Sequence, residues 1–462
     1  MNQDNINKLL KAFPNLNWVS APDQCLSYAS DYTEDFVFPP NAVFIPQSVK
    51  EISDVLRFCH EHYIPVTARG AGTGLSGGAL PVRGGIVLST EKLNQILEID
   101  KQNLTATVEP GVVNAELKLA AAEFDLYYPP DPASMGSSTL GGNVAHGAGG
   151  PKAVKYGITR DYIINLEVVL PTGEIIWTGS NTWKNSTGFN LTQLFVGSEG
   201  LLGIITKIVV KLVPLPTQEL LLLAAFPNLI SCAEAVTKVM GSSVKPAAIE
   251  YMETSGIQIS AQATQTSFPF VAGAEAYLLF AFDGFQNDDL FYQIEQIYPL
   301  LEDSGAIEIM PSPNSDVAQQ WWKVRRAIGE TVKQHSVYKE EDTVVPRYAL
   351  PILLKSVKDI GKEYGFQSVC YGHAGDGNLH VNILKNNLSD DYWKNEVPKG
   401  IRKIFQTCKQ LGGTISGEHG IGYSQKEYLN EVFDDNHMRL MKGIKLVFDP
   451  HGILNPGKWI GN

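Results

Sequence analysis

Apolar and polar positions change period several times along the chain, and each change marks an element. Val49, Ile52, Val55, Leu56 and Cys59 recur at the spacing of one helix face. Ser48-x-x-Glu51 in front of them is a capping box, and Pro65 ends the helix near Tyr63. Short apolar runs at Ile64–Ala68, Ile86–Leu88 and Leu104–Val108 read as strands, and Asn5–Phe13 and Asn114–Phe124 as helices. Ile163–Leu170 and Glu174–Thr178 form a hairpin around Pro171-Thr172-Gly173, and a further strand follows Gly203. Beyond Pro214-Leu215-Pro216 the order becomes strand–helix–strand twice: Glu219–Phe226, Ser231–Met240 and Pro246–Tyr251, then Ala276–Phe282, Asp288–Leu300 and Ile307–Met310. That is the order of a ferredoxin-like sandwich. Trp321–Lys333, Pro351–Tyr364, Val397–Gln410 and Asn436–Phe448 are further helices, and Gln367–Tyr371 and His380–Leu384 further strands. The fold class is α+β, and 462 residues leave room for about three domains.

Two stretches fit neither period. Arg69-Gly70-Ala71-Gly72-Thr73-Gly74-Leu75-Ser76-Gly77-Gly78-Ala79-Leu80-Pro81 holds five glycines between two strands. Successive bare N–H groups beside hydroxyls make a concave anion site suited to a pyrophosphate. Gly72-x-Gly74-x-x-Gly77 imitates a nicotinamide-dinucleotide fingerprint, but Gly78, Pro81, Gly84 and Gly85 leave no helix to follow it. Residues 128–157 form the second stretch, rich in Pro and Gly, with little room expected for regular structure. Two such segments in one domain point to one extended ligand wrapped by both.

A net charge of −12 argues against nucleic acid. Cys25, Cys59, Cys232, Cys370 and Cys408 are odd in number and lack CxxC spacing, as for core thiols in a reducing compartment. The polar start of the chain lacks a signal-peptide core, and the longest apolar run, Leu220–Phe226, is too short to span a bilayer. These features lead us to expect a cytoplasmic protein, with peripheral membrane association left open.

Candidate chemistry gathers in Gly372-His373-Ala374-Gly375-Asp376-Gly377-Asn378-Leu379-His380-Val381-Asn382 and in Gly417-Glu418-His419-Gly420. Two imidazoles flanking a turn between strands can face each other, and a carboxylate from elsewhere completes a three-ligand metal site with open positions. His373, His380 and Glu418 fit that role. Glu418 and His419 would point to opposite faces of an extended chain. Asp376, between glycines, reads as a turn residue. From pattern alone, Arg325-Arg326 reads as a solvated helix face, and Tyr338-Lys339 is equally ambiguous.

Together these motifs, with Asn455-Pro456-Gly457-Lys458, resemble the FAD-linked oxidase and dehydrogenase family of the vanillyl-alcohol-oxidase (PCMH-type) fold, from about residue 36 onwards. The resemblance is greatest to glycolate oxidase flavoprotein subunits, D-lactate dehydrogenases and D-2-hydroxyglutarate dehydrogenases. It implies a lead-in over 1–35, an FAD-binding domain over 36–215, a substrate (cap) domain over 216–430, and a segment over 431–462 that returns to the flavin. It also implies FAD held by Arg69, Gly70, Gly72, Thr73, Gly74, Gly77 and Gly78, by Pro132, Gly136, Thr139, Gly142 and Asn143, and by Gly203, Ile204, Ile205 and Asn455. Some relatives attach flavin through a histidine in the first loop; residues 69–81 contain neither His nor Cys, so non-covalent FAD is expected.

By the same resemblance His373, His380 and Glu418 hold a divalent metal, zinc or manganese. His419 is the base, Asn382 lies near the substrate, and Arg325 and Lys339 bind its carboxylate. The implied reaction oxidises a D-2-hydroxy acid to the keto acid: the metal acidifies the hydroxyl and a hydride passes to the flavin. A separate acceptor (quinone, cytochrome or electron-transfer protein) then reoxidises the flavin, with the chain acting as a homodimer or complex subunit. The sequence departs from the hydroxyglutarate enzymes at Gly329, where they carry threonine, and in a spacing from Arg325 to Tyr338-Lys339 that is one residue shorter. Three rivals stay open: a same-fold alcohol oxidase or ether-lipid synthase, a metallohydrolase, and a flavin subunit active only with partner chains.

Overall fold

A computed structural model describes residues 3–33 and 36–460. The chain forms two compact units. One comprises Met1–Gly149, Gly157–Leu215 and Glu418–Asn462, and the other Gly150–Tyr156 and Pro216–Gly417.

In the first unit, three parallel strands (Ala42–Phe44, Ile86–Ser89 and Val66–Arg69) are joined at one edge by antiparallel Trp18–Val19. The helix Val49–Glu61 starts as its capping box requires: Ser48 accepts the Glu51 N–H, and the Glu51 carboxylate accepts the Gln47 N–H. It buries Ile52, Val55, Leu56 and Cys59 against this sheet, where Ile6 and Leu9 of helix Gln3–Ala12 join the same core. The lead-in therefore belongs to this unit. A second, antiparallel sheet runs Ile96–Asp100, Thr105–Val108, Ile204–Lys211, Ile163–Val169, Ile175–Trp177.

Residues 128–157 hold more regular structure than expected. A helix spans Leu140–His146 with Thr139 as its extended N-cap. Its glycines lower helix propensity, but a Cβ at Gly141 would meet Pro110 at 2.6 Å, so close approach decides the residue. Residues 150–156 join the second unit. There the buried Asp283 carboxylate accepts from Lys152, Lys155 and Tyr156; burial opposes its charge, but the two lysines hold its pKa below the ordinary range.

The second unit is one antiparallel seven-stranded sheet in the order Glu308–Pro311, Gln218–Phe226, Ala276–Gly284, Ala248–Glu253, Gln367–His373, Asn378–Leu384, Tyr338–Val344. The first four strands, with helices Leu229–Met240 and Asn287–Glu302, carry the expected ferredoxin-like order. The other three extend the sheet at the Ala248–Glu253 edge, and the Tyr338–Val344 strand is new to the sequence reading. On one face, helices Thr254–Ala263 and Ser315–His335 cover Met252, Tyr338, Val369 and Tyr371. A Cβ at Gly256 would meet Val369 at 2.9 Å and Ile328 at 3.2 Å, which is why so small a residue stands at that crossing.

The second unit ends at Gly417, not near 430. The turn after it belongs to the first unit because Glu199 accepts the N–H groups of Ile421 and Gly422, and Ser76 C=O accepts that of Tyr423. All five cysteines are free and buried, as read from the sequence. No helix among the described residues is long and apolar enough to cross a membrane.

Candidate active site

In the first unit, the Val66–Arg69 strand delivers the glycine loop, and no helix follows it. Gly72 and Gly77 sit at φ +72° and +75°, where a side chain would strain the backbone. A Cβ at Gly70 would collide with Thr139 Oγ1, and one at Gly78 would come within 3.1 Å of the His146 ring. The two glycine-rich stretches therefore face each other. Around them, Ser76 Oγ, Ser138 Oγ, Thr139 Oγ1 and Asn143 Nδ2 are buried without a hydrogen-bond partner. Each such group costs about 1–3 kcal/mol unless something satisfies it. A cradle of bare backbone with orphaned hydroxyls fits a polar, phosphate-bearing ligand.

The C-terminal segment braces this cradle. Leu454 bridges to Val66, and the Asn455 side chain accepts the Ala68 N–H and donates to Glu199 C=O and Gly78 C=O. Asn455 thus pins the loop from behind, with its amide committed to backbone groups. The Arg69 guanidinium donates to Ser30 C=O beside the Tyr28 ring, a bracing role as well. Ile204 is core, and a Cβ at Gly203 would meet Phe195 at 3.0 Å. Gly136 is exposed with nothing close to it, and Pro132 is buried.

Lys458 Nζ donates to Gly77 C=O and, at 2.6 Å, to Leu80 C=O. Burial pulls its pKa down to about 7 against Asp31 and Glu199, which raise it. An exposed lysine titrates near 10.4. Between those two values the unfolded chain binds more protons than the folded one. Lys458 therefore makes stability rise with pH across that window, by up to about 1.4 kcal/mol per pH unit, and adds no slope below it. Lys458→Met is expected to flatten this rise in urea midpoints measured from pH 7 to 10. An unchanged slope would mean that the amine titrates normally.

The Glu418–His419 turn is also part of this unit. His146 Nδ1 bonds His419 C=O at 3.0 Å, and Gly420 turns the chain at φ +77°. The two side chains do not diverge as an extended chain would have them. His419 Nε2 lies 3.9 Å from Glu418 Oε1, because residues 417–419 bend. His146 and Glu199, both missed in the sequence, hold this turn.

In the second unit, His373, His380, Asn382 and Arg325 gather on the sheet face beneath helix Ser315–His335. His373 ends one strand and His380 lies on the next, opposite Tyr371; their rings meet edge-on with centroids 5.3 Å apart. Glu250, fully buried on a third strand, sits 2.9 Å from His373 Nδ1 and 2.5 Å from Arg325 Nη2. Burial raises the cost of its charge, yet Arg325 and His373 hold its pKa below the ordinary range. A carboxylate on one imidazole nitrogen fixes the tautomer and presents the other nitrogen as a ligand, the usual support of a metal-binding histidine. His380 Nδ1 lies 3.6 Å from Asp342 and 3.9 Å from Glu340. Asp342 also accepts from Asn378, Ser416 and the Gly417 N–H, so it secures the end of this unit one residue before Glu418.

Arg325 is buried, whereas its neighbour Arg326 is exposed over the Trp322 ring. Asn382 is fully buried on the same face, opposite Glu340. Lys339 is not there. Strand alternation turns it to the other face, where it lies 5.7 Å from the Trp393 ring. The position beside the histidines is taken by Glu340. Glu250, Glu340, Asp342 and Tyr371 were not foreseen; the one available signal was Glu250, a lone carboxylate inside an apolar strand.

Comparison with known proteins bears on both units. Residues 40–179 match the FAD binding domain family, and residues 215–459 match FAD linked oxidases, C-terminal domain. The chain is 39% identical to glycolate oxidase subunit GlcD of Bacillus subtilis over 94% of its length and 92% of that protein's. It is 39% identical to a D-lactate dehydrogenase of Anaerostipes hadrus, covering 91% and 89% of the two chains. A D-2-hydroxyglutarate dehydrogenase of Stutzerimonas stutzeri is 33% identical over 94% of each. Among solved structures, p-cresol methylhydroxylase with substrate bound shares the fold at a TM-score of 0.81 and 20% identity, covering all of this chain and 98% of that one. With the glycine cradle and its orphaned hydroxyls in place for the cofactor, the chain belongs to the FAD-linked oxidase family and is an FAD-dependent oxidoreductase.

Proposed function

We propose that this enzyme oxidises a small D-2-hydroxy acid to the 2-keto acid. The observation that carries the reading is the cluster of His373, His380 and Arg325 on one sheet face around buried Glu250. It combines a ligand pair for a divalent metal with a cation for a carboxylate. The names of the relatives, glycolate oxidase, D-lactate dehydrogenase and D-2-hydroxyglutarate dehydrogenase, support the substrate class.

Arg325 orients the substrate carboxylate through its planar fork of donors. Asn382 offers an amide on the same face. His419 takes the hydroxyl proton as general base. His373, His380 and Glu418 would hold a zinc or manganese ion, which would supply Lewis acidity toward the hydroxyl and carboxylate oxygens. FAD, held non-covalently, supplies when bound the acceptor for the hydride released from Cα. Reoxidation of the flavin falls to a separate acceptor, a quinone, a cytochrome or an electron-transfer protein.

The test is a panel of D- and L-2-hydroxy acids mixed anaerobically with the oxidised holoenzyme. Glycolate or D-lactate is expected to bleach the flavin absorbance, and the L-acids to leave it. A flavin unmoved by every acid, or bleached equally by both enantiomers, would reject the reading.

A further inference from the structure

The face that carries Arg325 is closed on one side by a short relay. A Cβ at Gly329, one helical turn beyond Arg325, would meet the Tyr371 hydroxyl at 2.6 Å, so only glycine lets the phenol seat there. The Arg325 guanidinium lies 5.0 Å from the Tyr371 ring centroid, and the His380 ring 5.1 Å from it. The Tyr371 hydroxyl donates to Glu340 Oε1 at 3.0 Å, fixing that carboxylate on the histidine side of the sheet, 3.9 Å from His380 Nδ1. Tyr371 is buried and the Glu340 side chain only 11% exposed, so water does little to screen the charge.

The charges on this face are lopsided. Among the described side chains on it Arg325 is the cation, already shared with Glu250, while Glu250, Glu340 and Asp342 are anions; the proposed metal on His373 and His380 would add positive charge at the hydroxyl end only. Lys339, the neighbouring cation, faces the other way. One substrate carboxylate can be matched by Arg325; a second would meet Glu340.

We propose that Glu340, held by Tyr371 over Gly329, determines specificity by admitting 2-hydroxy monocarboxylates with small side chains and rejecting those with a second carboxylate. The inference rests on the hydroxy-acid reading above and narrows it to a substrate class. Like charges set together at a binding site are a strong means of rejection.

The test uses the holoenzyme and two readouts. The first is kcat/KM for D-lactate against D-malate and D-2-hydroxyglutarate. The second, independent of turnover, is the dissociation constant of the oxidised enzyme for pyruvate against 2-oxoglutarate, by calorimetry. The wild type is expected to favour the monocarboxylate about 100-fold or more in both. Glu340→Gln should narrow both ratios at least tenfold, and Tyr371→Phe, which removes one hydrogen bond to the carboxylate, should narrow them less. A wild type that handles D-2-hydroxyglutarate as well as D-lactate, or ratios unmoved in Glu340→Gln, would overturn the proposal; the wild-type ratios decide even where a variant fails to fold. A flavin unmoved by every acid, with no keto acid bound, would bring down the hydroxy-acid reading itself and this inference with it.

Discussion

Glu250→Ala is expected to cost about 3–5 kcal/mol of stability, the effect of breaking a buried ion pair from one side. Glu250 is fully buried, and its carboxylate meets both Arg325 and His373. Without it the Arg325 guanidinium keeps its charge in the same dry environment and has lost its counter-ion. Urea unfolding followed by tryptophan fluorescence would measure the change, since Trp321 and Trp322 lie buried on the helix that covers this face. Glu250→Gln should fall between the wild type and the alanine variant, because the amide oxygen still accepts from His373 but cannot neutralise Arg325. A loss below about 1 kcal/mol for Glu250→Ala would mean that the pair contributes little. The same change removes the acceptor that fixes the His373 tautomer, so affinity for the proposed metal is expected to fall about 10–100-fold.

His419→Ala is expected to retain the oxidised flavin spectrum and to slow anaerobic flavin reduction by about 10²–10⁴-fold, the usual contribution of a positioned general base. The backbone of its turn is held independently of its side chain, by His146 on the His419 carbonyl and by Glu199 on Ile421 and Gly422. Removing the imidazole should therefore leave the cofactor cradle intact. Stopped-flow measurement at saturating substrate separates this loss from weaker binding. Reduction at the wild-type rate would remove His419 as the base.

The cofactor half of the molecule was legible in its sequence because its requirement is for backbone. Only glycine suits a loop that something must approach closely, and five of them between two strands are visible in one dimension. The histidine pair was legible for a similar reason, since a short turn sets their separation. What escaped was every residue that reaches the site across the sheet. Glu250, Tyr371 and Glu340 lie on three different strands and meet only through register. The Tyr338–Val344 strand was unreadable because Glu340, Glu341 and Asp342 in a row look like a solvated loop; tertiary partners on Tyr371, Asn378, Ser416 and Gly417 make part of that run tolerable indoors. Alternation along the same strand explains the exchange of Lys339 for Glu340. A one-residue difference in register moves a side chain to the other face, and the sequence offers nothing to fix that register. The helix at Leu140–His146 was hidden by its own glycines, which serve packing against Pro110 at the expense of propensity.

The most direct test of the whole account is to measure metal content and flavin reduction in the same samples. Wild-type protein and His380→Ala, both carrying FAD, would be analysed for bound divalent metal and then mixed anaerobically with D-lactate and with glycolate. About one ion per chain and rapid bleaching are expected in the wild type, with both lost in the variant and bleaching also lost when the wild type is stripped by a chelator and recovered when zinc or manganese is returned. Full-rate bleaching in protein shown to be free of metal would contradict that expectation.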